Sequence, residues 1–192
     1  KKLVKKILFF ILIFQTNVLS QDLEKAYFGG GCFWCMEESF EKFNGVIEVI
    51  SGYSGGKTKN PTYEEVTYLD TGHFETVEII YDKNITNYKN LLDHFWINID
   101  PFDAIGQFCD KGYSYRSVAF YQTIDQKDDI KRTIVKLENK FNKKIVTYVR
   151  KFENFYKAEK YHQNYYKKKF LNYLRYKKAC GRENKLNKIW NK

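Results

Sequence analysis

Two hydrophobic periods succeed one another along the chain, and the points where they switch outline its elements. Ala26-Tyr27-Phe28 is a short apolar run that ends in Gly29-Gly30-Gly31, the pattern of a strand entering a tight turn. Residues 33–43 then take helical spacing, with Phe33, Met36, Phe40 and Phe43 on one side and Glu37, Glu38, Glu41 and Lys42 largely on the other. Residues 46–53 are apolar and β-branched enough for a strand, and residues 54–60 with Pro61 form a loop. Period two returns over 74–81. Residues 87–99 give a second amphipathic helix carrying Leu91, Leu92, Phe95 and Trp96, which Asp100-Pro101 closes. After a Gly-containing loop to Tyr115, residues 118–121 predict a strand, 125–141 a third helix and 145–149 a last strand. The first six elements follow the order β-α-β-β-α-β. This predicts an α+β fold: a two-layer sandwich with a ferredoxin-like core, an antiparallel or mixed sheet covered by helices, and an added C-terminal helix and tail.

The strand at 74–81 carries one informative exception to its own pattern. Glu75 shares a face with Val77, Ile79 and Tyr81, whereas Glu78 shares the opposite face with Thr76, where a solvent-facing residue belongs. A carboxylate on an apolar face is costly unless paired or neutral, so Glu75 is expected to hold its proton near neutrality and becomes a candidate general acid. An edge position or a shifted register accounts for Glu75 equally well on this pattern alone.

Composition changes the picture mainly at the two ends. The 192 residues include 16 Tyr and 16 Phe, enough aromatic surface for one domain with a full core. Lys1, Lys2, Lys5 and Lys6 precede an apolar run over 7–14, followed by Val18-Leu19-Ser20 before Gln21. That pattern is a secretory signal peptide over 1–20, and the run is too short for the roughly 20 residues a bilayer requires. A secreted or periplasmic domain without stable membrane insertion after cleavage is expected, over residues 21–166. The formal charge of +10 includes those four lysines, leaving about +6 for the remainder. Much of it lies in a basic tail over 167–192, where Lys167, Lys168, Lys169, Arg175, Lys177 and Lys178 interleave with tyrosines. No recognition motif accompanies these charges, so a solvated basic face is favoured over nucleic-acid binding, and a monomer is expected.

Four cysteines, Cys32, Cys35, Cys109 and Cys180, allow three pairings. Cys32 and Cys35 are too close for an ordinary staple, and pairs at that spacing are more often redox-active than structural. Cys32 falls at a helix start behind three glycines, where amide donors and the helix dipole are expected to lower a thiol's pKa and where the sulfur is expected to face solvent.

At this point the chain resembles a known family. Gly31-Cys32-Phe33-Trp34, Gly52-Tyr53, Asn60-Pro61-Thr62-Tyr63, Thr71-Gly72-His73, Asp100-Pro101, Gln107, Asp110-Lys111-Gly112 and Tyr115-Arg116-Ser117 occur in the order and spacing of peptide methionine sulfoxide reductases of the A type. The resemblance covers most of residues 26–166. It implies that Cys32 attacks the sulfoxide sulfur of an S-epimer, releasing methionine and leaving a sulfenic acid that a second thiol converts to a disulfide. It further implies that Phe33 and Trp34 receive the S-methyl group, that Glu75 protonates the sulfoxide oxygen, that Tyr63 and Tyr115 hydrogen-bond it, and that Asp110 orients the substrate. Glu159 and His162-Gln163 resemble a supporting segment. No cofactor is implied, only an external thioredoxin-like dithiol as reductant. Position 35 is Cys where many relatives carry Gly. For the resolving thiol, Cys35 ranks first by proximity, Cys180 second as part of a mobile tail, with a possible recycling role, and Cys109 third.

Two other readings use the same residues. Cys32-Phe33-Trp34-Cys35 suits a thioredoxin-like thiol-disulfide oxidoreductase, although the strand order after the motif argues against that fold. A zinc-binding or purely structural module lacks a second Cys-x-x-Cys pair, and His73, His94 and His162 are widely spaced, so no metal is expected.

Overall fold

A computed structural model describes residues 22–191. The signal peptide expected over 1–20 lies outside the described residues. The elements are β1 (Leu23–Gly30), α1 (Phe33–Glu41), β2 (Val46–Ser54), α2 (Tyr63–Tyr68), β3 (Phe74–Asp82) and α3 (Tyr88–Trp96). There follow β4 (Gly106–Gln107), β5 (Asp110–Lys111), a 3-10 turn at Tyr113–Tyr115, β6 (Ser117–Tyr121), α4 (Ile124–Phe141), β7 (Tyr148–Lys151) and β8 (Phe155–Lys157). The chain ends in α5 (Tyr165–Lys168), α6 (Phe170–Cys180) and α7 (Arg182–Trp190). Among the described residues no helix is long and apolar enough to cross a membrane.

Six strands form one sheet in the order β7-β6-β1-β3-β2-β8. Its inner four, β6-β1-β3-β2, with α1 between β1 and β2 and α3 after β3, are the expected ferredoxin-like core. Every pairing is antiparallel except β6 with β7, so the sheet is mixed. The alternation in β1 assigns its faces. Ala26 and Phe28 join the main core with Met36, Phe40, Leu91, Leu92 and Phe95 of α1 and α3, while Tyr27 joins a smaller cluster with Phe74, Val118 and Phe120. Phe28 stacks on Phe95 with ring centroids 4.9 Å apart.

That second face corrects the expectation for Glu78. Phe152 and Phe155, from and beside β8, pack against Tyr27 and close the face to water. Glu78 is buried there, accepting from the Tyr27 hydroxyl at 2.7 Å and pairing with Lys25 at 3.1 Å. The C-terminal segment departs further from a mobile tail. Its helices pack against α1, with Tyr173 and Leu186 buried and Arg182 only 5% exposed.

Candidate active site

β1 ends at Gly30, and the chain turns through Gly31 into α1. Gly31 sits at φ 78°, and a Cβ there would fall 2.5 Å from the Cβ of Gln107, so both the backbone angle and the close approach require glycine. The turn sets Cys32 as the N-cap of α1 without a side-chain cap, its carbonyl accepting from the amides of Cys35 at 3.1 Å and Met36 at 3.3 Å. β3 runs under the same helix start, and Glu75 there accepts the Phe33 amide on Oε2 at 2.9 Å. The register of β2 with β3 sets Tyr53 opposite Glu75.

A cavity of about 80 Å³ opens over Cys32, lined by Phe33, Trp34, Tyr63, Glu75, Asp110, Tyr115 and Tyr176. Every substrate-binding residue expected from the sequence is therefore gathered with Cys32 and Glu75 around one space. Tyr63 and Tyr115 bring their hydroxyls within 3.3 Å of one another. Tyr63 is held by Glu159, which accepts its amide at 2.8 Å and the Tyr53 hydroxyl at 2.9 Å. The Trp34 indole stacks on Tyr165 at 3.8 Å and donates to Nδ1 of His162 at 3.2 Å. Burial holds His162 down at about 4, so its ring stays neutral and keeps that acceptor nitrogen.

The electrostatics favour neutral groups. Burial raises Glu75 well above the usual carboxylate range, opposed in part by the Phe33 amide. Burial also raises Asp110, against which the Tyr176 hydroxyl acts by donating to Oδ2 at 2.5 Å. Cys32 corrects the expectation of a depressed, solvent-facing thiol. It is 5% exposed, and burial together with its hydrogen bond to Cys35 pushes it well up. The lowered thiol is Cys35, brought to about 7 by accepting from Cys32, against the cost of burial and with help from Arg182 and Tyr173. The helix start stabilises negative charge, but at Cys32 the loss of water outweighs it.

Three residues of the site carried no clear signal in the sequence. Tyr173, Tyr176 and Arg182 come from α6 and α7, and their spacing reads as an ordinary basic, tyrosine-rich helix. Cys180 is not free: it is bonded to Cys109, beside Asp110, while Cys32 and Cys35 are the free cysteines among the described residues. In this structure Cys180 therefore stands beside the site as half of a disulfide and not as a free thiol. The same bond takes both sulfurs of the Cys109, Asp110 and Cys180 group, whose ligand atoms lie within 4.8 Å of one another.

A buried cysteine beside a neutral carboxyl, with a second thiol one helical turn away on a ferredoxin-like sheet, defines a thiol-dependent oxidoreductase. Comparison with known proteins gives the family. Residues 24–192 match the family model of peptide methionine sulfoxide reductase, and the chain belongs to that family. It is 45% identical over 172 residues to a peptide methionine sulfoxide reductase MsrA of Listeria monocytogenes, covering 88% of this chain and 97% of that one. Among solved structures, methionine sulfoxide reductase A of Corynebacterium diphtheriae superposes with a TM-score of 0.70 at 30% identity, covering 76% and 74% of the two chains. Mxr1 from Saccharomyces cerevisiae in reduced form gives 0.71 at 27% identity, covering 76% and 85%.

Proposed function

We propose that this chain reduces the S-sulfoxide of methionine, free or within proteins, with Cys32 as nucleophile, Glu75 as acid and Cys35 as resolving thiol. The observation that carries this reading is the neutral, buried Glu75 carboxyl sharing an 80 Å³ cavity with Cys32. A general acid must hold its proton at working pH and reach the oxygen it serves. The apolar wall of Phe33 and Trp34 suits the S-methyl group, and the paired hydroxyls of Tyr63 and Tyr115 suit the sulfoxide oxygen.

Cys32 Sγ attacks the sulfoxide sulfur as its own proton passes to Cys35, and Glu75 protonates the oxygen. The oxygen leaves on Cys32 as a sulfenic hydroxyl, methionine departs, and the Cys35 proton makes good the one Glu75 gave. Cys35 then attacks Cys32 Sγ while Glu75 protonates the departing hydroxide, forming the disulfide and releasing water, and Glu75 regains its proton from solvent. Two electrons from an external dithiol of the thioredoxin class restore both thiols. Asp110, tied to Tyr176, orients the amino-acid portion of the substrate. The pattern of residues 1–20 supports export with cleavage before Gln21, which N-terminal sequencing of the exported protein tests.

Turnover of each methionine sulfoxide epimer with dithiothreitol tests the central reading. The S-epimer is consumed and the R-epimer is spared. Cys32→Ser abolishes turnover with the fold intact, since a hydroxyl is a far weaker nucleophile. Cys35→Ser releases methionine in the first turnover and then stalls with a thioredoxin-type reductant. Substantial turnover by Cys32→Ser overturns the assignment.

A further inference from the structure

Helix α1 presents its two free sulfurs to different cavities. Cys32 lines the 80 Å³ cavity, whereas Cys35 lines a second one of about 350 Å³ beneath α6 and α7, and no described residue lines both. The rear cavity falls at the lower end of ligand-sized pockets, roughly 300–1,000 Å³. It has room for a peptide-sized molecule. Cys35 is 5% exposed and Tyr173 of α6 packs over it, so a protein dithiol reaches this sulfur only if the helices move.

The wall of this cavity is charged and unequal. Lys42, Lys177 and Arg182 line it together with Glu38 and Glu183. Glu38 is already bridged to Lys42 at 2.7 Å and to Lys177 at 2.8 Å. Arg182 is buried on neutral acceptors, donating to the carbonyls of Gly30 at 3.1 Å and Asn98 at 2.7 Å and to Met36 Sδ at 3.1 Å. Its charge also acts on Cys35 and Asp110, and once Cys35 is held in a disulfide the attraction it gave that sulfur is left for an anion entering beside it.

We propose that the rear cavity is a port at which a small, carboxylate-bearing thiol attacks Sγ of Cys35 in the Cys32–Cys35 disulfide, leaving the substrate cavity on the other face free. The inference rests on the reading of Cys35 as the resolving thiol. Displacement at sulfur proceeds in line, so the incoming sulfur must reach Cys35 from the side away from Cys32, and a cavity that touches Cys35 without touching Cys32 offers that approach. The first thiolate bonds to Cys35 Sγ and breaks the Cys32–Cys35 bond, whose electron pair leaves on Cys32 and takes up a proton. A second thiolate attacks the small-thiol sulfur of the mixed disulfide, releasing the oxidised dimer of the thiol and returning Cys35. Two thiols are oxidised for each sulfoxide reduced.

The test starts from protein oxidised by one turnover of methionine sulfoxide without reductant, with methionine release recorded first. Failure to release methionine in that burst is a failure of the proposed function and is thereby separated from failure of the port. Reduction is then followed by stopped flow with glutathione and with cationic cysteamine, each rate normalised to that thiol's reaction with hydroxyethyl disulfide. Glutathione is expected to react at least tenfold faster on this scale, the advantage is lost at 0.5 M salt, and saturating methionine does not compete. Asn187→Trp, which fills the cavity from α7 away from both sulfurs, keeps the burst and slows glutathione at least tenfold. Cys32→Ser treated with glutathione disulfide carries the adduct on Cys35. Equal normalised rates for the two thiols, competition by methionine, or an unchanged glutathione rate in Asn187→Trp overturns the port. Should Asn187→Trp fail to fold, the wild-type comparison and methionine competition decide alone.

Discussion

On the helix-facing side of β3, Glu75 is buried, and only one amide supports its charge. Its neutrality is therefore a property of position, and Glu75→Gln keeps the shape while removing the transferable proton. Single-turnover methionine release in Glu75→Gln is expected to slow by ~10²-fold or more, the usual scale of lost acid catalysis. An unchanged rate makes Glu75 a structural group. Glu37 on α1 gives a second test, through stability. It is fully buried, accepts the Asn164 amide at 2.9 Å, and burial raises it from 4.5 to about 7. A carboxyl with a raised folded pKa stabilises most below its unfolded pKa and loses that contribution as pH rises through the folded one. Urea unfolding is thus expected to show stability falling between about pH 4.5 and 7, on the order of 3 kcal/mol, with Glu37→Gln flattening the slope. An equally steep slope in the variant assigns it to other groups.

Among the elements, α2 shows what local sequence supplies to the site. Thr62 accepts the Glu65 amide at 3.2 Å while the Glu65 carboxylate accepts the Thr62 amide at 2.8 Å, a complete capping box. The Thr62-Tyr63-Glu64-Glu65 spacing is visible in the sequence, yet Pro61 and the polar run before it read as loop. The helix it starts carries Tyr63 into the cavity. Thr62→Ala is expected to cost about 1 kcal/mol in urea unfolding and to raise KM more than it lowers kcat, by loosening Tyr63. A fall in kcat alone would place Tyr63 in the chemical step and not in binding. β8 escaped notice for a different reason: three residues, Phe155–Lys157, have too little length for a period, and only pairing with β2 makes them a strand.

At the scale of the molecule, the Cys109–Cys180 bond joins residues 71 apart and ties α6 to the loop that carries Asp110. One turn before Cys180, Tyr176 donates to Asp110, so a covalent and a hydrogen-bonded link run side by side. Removing the bond releases a long loop in the unfolded chain, worth typically 2–4 kcal/mol. Cys109→Ser with Cys180→Ser is expected to lose that much in urea unfolding and to affect thiol-dependent turnover less than Cys35→Ser. Turnover that fails more severely than in Cys35→Ser moves the resolving path to this pair.

The sequence by itself determined the ferredoxin-like order of elements and the apolar-face position of Glu75, because alternation and helical spacing are local properties; the residues expected around Cys32 followed from the family resemblance of the motif string, and Tyr173, Tyr176 and Arg182 were not among them. Glu78, the ionisation of Cys32 and the fate of Cys180 were decided only in three dimensions. Glu78 is buried because Phe152 and Phe155 return across the far face of the sheet. Cys32 is raised because burial outweighs a helix start, a balance set by Tyr173 and Tyr176 from more than a hundred residues away. The basic tail becomes a wall of the site because its Tyr and Arg side chains find Glu38, Asp110 and the Gly30 carbonyl. No periodicity within residues 167–192 encodes those partners, which belong to other elements and meet the tail only when the chain folds.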